Sequence, residues 1–186
     1  MPSILSQTSW ESALQFLDDA YTIAMVGPRL HDNWQQDVAP IMRREAQDPR
    51  GWTGLIPEED DRYYEGPYYP FRPTAPDELP DALEEIDADA AAYQLVLMSS
   101  DTLRPSGIPG WPESKTRVLR DARTVLSRFT PDCVFYTNSS RRWGPSPEFT
   151  DASLRGTWLT LRPYMDLGLL AVTDTEIGLF WAIDAS

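Results

Sequence analysis

With 186 residues, 41% of them hydrophobic, the chain can bury one substantial core and is short for two, so a single domain over 1–186 is expected. Aromatic residues make up 11%, and seven Trp with eight Tyr exclude a disordered chain despite 17 prolines. A net charge of −13 disfavours nucleic acid and anionic membrane as partners and favours a basic surface.

The N-terminal MPSILSQTSW has no basic flank and no apolar stretch of signal-peptide length. The runs Ala20 to Val26 and Ile177 to Ile183 are too short to cross a bilayer, so a soluble cytoplasmic protein is expected. A single cysteine, Cys133, excludes an internal disulfide and fits a reducing compartment. Fifteen Arg against one Lys points to a GC-rich, bacterial genome.

In chain order, TSWESALQFLDDAYTIAMVG predicts a helix. Thr8 and Glu11 have capping-box spacing, Trp10, Leu14, Leu17, Tyr21 and Ala24 share a face, and Gly27 with Pro28 ends it. Trp34, Val38, Ile41 and Met42 have helical spacing, and Pro40 predicts two short pieces. From about 49 to 80 the period vanishes into a long Pro/Tyr-rich acidic loop. Pro80 suits the first turn of a helix whose stripe is Leu83, Ile86, Ala90, Tyr93 and Leu97. A second Pro/Gly loop, Ser99 to Ser114, feeds a helix from about Glu113 to Phe129, with Val118, Ala122, Val125 and Phe129 inward and Arg117, Arg120 and Arg123 outward. After Pro131 the pattern turns to strands: CVFYTN, Gly156 to Leu161, and a hairpin over Leu167 to Asp184 turning near Asp174 and Thr175. Helices first and strands last predict an α+β fold, with N-terminal helices packed on one face of a C-terminal antiparallel sheet of about three to five strands.

The chemistry-bearing residues exclude more than they propose. One His and one Cys cannot build a His/Cys zinc site within the chain, and no GxGxxG, P-loop, GxSxG or HExxH pattern occurs. No catalytic residue, metal ligand or cofactor is therefore assigned. His31 reads as a helix-start or surface residue, and Cys133, in an apolar strand, as an inert thiol.

Charge is uneven along the chain, −10 from Glu58 to Asp89 and +5 from Arg104 to Arg162. Within the acidic part, Glu58, Glu59, Asp60, Asp61 and Glu65 interleave with Tyr63, Tyr64, Tyr68 and Tyr69 on a proline-stiffened loop. Carboxylates supply complementarity to a basic partner, and tyrosines give contact area at low entropy cost, so these nine residues are the expected partner-binding set. The alternative is that the tyrosines cover the protein's own core while the acids keep the loop soluble. Arg141, Arg142 and Trp143 after CVFYTN could bind a small anion, although a structured turn with the arginines facing the acidic middle is the favoured reading.

In composition and architecture the chain resembles bacterial immunity proteins and other toxin neutralisers. That resemblance implies a non-enzymatic inhibitor of a basic protein such as a nuclease or a secreted effector toxin. Two other classes stand beside it: a carboxylate-based, Mg-dependent enzyme using the acidic cluster, and a structural or assembly subunit.

Overall fold

A computed structural model describes residues 7–18, 21–46, 49, 66–139, 159–161 and 166–183. Among these the fold is α+β. Five antiparallel strands, β1 (Thr22–Pro28), β2 (Glu84–Ile86), β3 (Val134–Thr137), β4 (Asp166–Val172) and β5 (Glu176–Ile183), form one sheet in the order β1-β5-β4-β3-β2. Five helices accompany them: α1 (Gln7–Ala13), α2 (Gln35–Met42), α3 (Leu79–Ala82), α4 (Ala88–Met98) and α5 (Lys115–Leu126).

The hairpin at the centre falls where its sequence places it. In β5, Ile177, Leu179, Trp181 and Ile183 point to one face, and Phe180 and Ala182 to the other. The turn is fixed by Thr173, whose hydroxyl accepts from the N–H groups of Thr175 and Glu176. Both faces are covered. The main helical layer, α1, α4 and α5, buries Ala24, Leu167, Leu169, Ala171 and Phe180, while α2 and Leu79 of α3 cover Ile23, Met25, Leu170 and Leu179 on the opposite face.

Three elements differ from their sequence expectation. Tyr21 to Val26 is not the end of the first helix: α1 and a following 3-10 turn (Leu14–Leu17) stop at Leu17, and Thr22–Pro28 is β1. Because β1 is buried on both faces, its apolar run carries no period of its own, and β-branched Thr22, Ile23 and Val26 favour the strand. The helix expected from Pro80 to Leu97 is two helices with β2 between them. Asp87 takes an extended conformation and accepts the Ala90 N–H at 2.7 Å, so a new helix begins there. Conversely, α2 runs unbroken through Pro40, with Val38, Ile41 and Met42 buried against the sheet. Of the expected strand Gly156 to Leu161, only 159–161 lies among the described residues; it runs beside Pro70 to Arg72, with Phe71 bridging Thr160.

Candidate functional site

Most of the expected partner-binding set, Glu58, Glu59, Asp60, Asp61, Tyr63, Tyr64 and Glu65, lies outside the described residues, as do Arg141, Arg142 and Trp143. The two tyrosines that are described differ from each other. Tyr68 is half-buried, with the Arg43 guanidinium 5.9 Å above its ring. Tyr69 is fully buried, and its carbonyl accepts from Arg44 Nε at 2.8 Å, so in this conformation its ring belongs to the protein's own core.

Another acidic and aromatic surface is present at the sheet edge. Seven carboxylates between 77 and 89, Asp77, Glu78, Asp81, Glu84, Glu85, Asp87 and Asp89, are all exposed, and no basic residue interrupts them. Arg123 reaches Asp89 at 3.1 Å; the other six form no ion pair among the described residues. The strand at the centre of this run, β2, has one strand neighbour among the described residues, β3. Its alternation turns Ile86 toward the main helical layer and Glu85 toward the opposite face, where Glu85 pairs in register with Tyr136.

Tyr136 in turn stacks on Trp34 at the start of α2, with centroids 4.7 Å apart. Burial and the nearby Glu85 charge push the Tyr136 hydroxyl above its ordinary range, against a hydrogen bond to Trp34 and the charge of Arg29. Trp34 and Tyr136 are each half-buried. The result is a carboxylate beside a partly exposed aromatic stack, an arrangement suited to a guanidinium or ammonium group.

The loop that delivers Trp34 is tightly held. Asp37, 4% exposed on α2, accepts the N–H groups of Leu30 and His31 at 3.0 and 3.1 Å and bonds His31 Nδ1 at 2.6 Å. Burial raises the Asp37 carboxyl, but these bonds from His31 and Leu30 outweigh it and hold the group below the usual carboxylate range. Arg29 donates to the carbonyls of Thr173 and Asp32, tying the same loop to the β4–β5 turn. His31 is thus a surface residue with a structural bond. Cys133 is half-buried, and burial pushes its thiol up to about 12, which leaves almost no thiolate at neutral pH.

Sequence reasoning missed Glu84, Glu85, Trp34 and Tyr136 as a group because it placed the glutamates inside a helix. The available signal was Asp87, a good N-cap residue in front of the alanine-rich Ala88 to Ala92, which marks a helix beginning after the glutamates. Among the described residues no group of three or more His, Cys, Asp or Glu could hold a metal ion, and no helix is long and apolar enough to cross a membrane. A comparison with known protein families, curated proteins and solved structures found no match, so the acidic edge and its aromatic stack stand on their own geometry.

Proposed function

We propose that this chain is a cytoplasmic, non-enzymatic binding protein that neutralises or occludes a basic partner protein, as bacterial immunity proteins and antitoxins do. The observation that carries this reading is the stretch of seven exposed carboxylates between Asp77 and Asp89, uninterrupted by any base, with Glu84 and Glu85 on the edge strand β2 and Glu85 in register with Tyr136 of the Trp34–Tyr136 stack. Carboxylates in that number raise the encounter rate with a positive surface by about 10- to 1000-fold at low salt, while the half-buried aromatics supply contact area. The acidic Glu58 to Glu65 run extends the same charge along the chain.

The test begins with affinity capture from the source cell at low and high salt, followed by stopped-flow association with the basic protein recovered. Association is expected to slow steeply as salt rises, and the pair Glu84→Lys with Glu85→Lys should reduce the rate constant about tenfold or more. A parallel variant with Glu58, Glu59, Asp60 and Asp61 changed to Lys shows how far the loop shares the work. An association rate indifferent to salt would overturn the reading.

A further inference from the structure

The acidic edge flanks the first turn of α4, and a separate cleft opens at the other end of that helix. With eleven residues, α4 sets the two features roughly 16 Å apart. The cleft has a volume of about 400 Å³ and lies between the 3-10 turn after α1, the chain leaving α4, and the first turn of α5. That volume is within the range of about 300–1000 Å³ typical of small-ligand sites.

Its lining divides by chemistry. Phe16, Ile108 and Val118 form an apolar floor that belongs to the main core. Asp18 comes from one wall and Asp101 from another, while Arg117 lines the cleft from α5. Ser99, the last-turn cap of α4, also faces the space, so the partial negative charge of that helix end adds to the two carboxylates. The wall from Ser100 to Ile108 is held in shape before any ligand arrives. Ser100 Oγ accepts from the N–H groups of Thr102 and Arg104, and Leu103 sits buried in the left-handed region at φ 51°. Such a wall loses little entropy on binding.

We propose that this cleft binds a small organic cation with an alkyl stem, an alkylammonium or alkylguanidinium group. The stem lies on Phe16, Ile108 and Val118, and the charged head lies between Asp18 and Asp101. Arg117 opposes the cation, which limits affinity and gives the site a diagnostic response to substitution.

Butylguanidinium and butylammonium are the probes, with butyrate as the anionic control, followed through the Ile108 and Val118 methyl signals in two-dimensional NMR. Saturable shifts are expected with the two cations and not with butyrate. Asp18→Asn and Asp101→Asn should each weaken binding about threefold, whereas Arg117→Gln should tighten it by a similar factor. A loss of folding cannot produce tighter binding, so the arginine variant keeps the test decisive. Equal shifts with butyrate, or cation affinities unchanged in all three variants, would overturn the proposal. Binding of glycyl-arginyl-glycine at the strength of butylguanidinium supports it with a protein side chain as the source of the cation. Binding of the free cation without the tripeptide supports it with a small molecule as the source. Neither arm depends on Glu84 or Glu85, so the cleft and the acidic edge succeed or fail separately.

Discussion

Asp166 accepts four N–H groups while only 4% exposed: Asn138 Nδ2 at 2.8 Å, the backbones of Leu159 and Thr160 at 3.1 and 3.0 Å, and Trp181 Nε1 at 3.2 Å. Asn138 completes the knot by accepting the Gly168 N–H at 2.7 Å. Changing Asp166→Ala strands four buried donors, and a loss of about 3 kcal/mol is expected in urea unfolding. Burial carries the Asp166 carboxyl above its ordinary 3.8 despite those donors, so the native state holds this proton more tightly than the unfolded chain. Its contribution therefore declines as pH rises from 3.8 to the folded value and is constant above it. Asp37 has the opposite sign. Its folded value lies below 3.8, so its contribution is complete above 3.8 and lost as pH falls through the folded value. Asp37→Asn should accordingly destabilise the protein more at about pH 7 than at about pH 2, as read from paired urea titrations. A gap that widens in acid would show that the His31–Asp37 bond does not hold the loop in this way.

Among the elements, α5 was legible because Val118, Ala122 and Val125 recur at helical spacing, and the β4–β5 hairpin because two apolar runs of strand length flank the polar turn Thr173 to Thr175. β1 and β2 were not. β1 is apolar on both faces, and β2 is so short that its three residues fit the stripe of the helix that follows. Periodicity detects an element with one buried face, and neither strand presents that pattern. The hairpin also shows why two glycines sit inside strands. At Gly168 the indole of Trp181 occupies the space of a side chain, and at Gly178 the Phe129 ring, just beyond α5, does the same. Phe129 meets Phe180 edge-on there, with centroids 6.0 Å apart. Substituting Gly178→Val would push that ring off the sheet, and a loss of about 2 kcal/mol in denaturant unfolding is expected. An unchanged midpoint would mean that the helix end can shift at no cost.

For the whole molecule, charge distribution was readable without coordinates, and the placement of charge was not. The sequence shows a −10 stretch from Glu58 to Asp89; the fold divides its described part, exposing the seven carboxylates of 77–89, two of them on the edge strand β2, while burying Tyr69 and Phe71 in the interior. Residues such as Trp34 and Tyr136, about a hundred positions apart, become neighbours only because the fold brings the chain entering α2 against β3, which no local pattern announces. The cleft under Ile108 is likewise made by three segments distant in sequence.

The strand order itself governs how the molecule can be made. β1, near the start of the chain, pairs along its length with β5, Thr22 opposite Ala182 and Pro28 opposite Glu176. During synthesis β1 must therefore wait until β5, about 150 residues further on, has been made before Ile23 and Met25 have that strand to lie beside, and closing so long a loop is slow. Until then its apolar residues lack their final cover, which leaves β1 open to pairing with other strands.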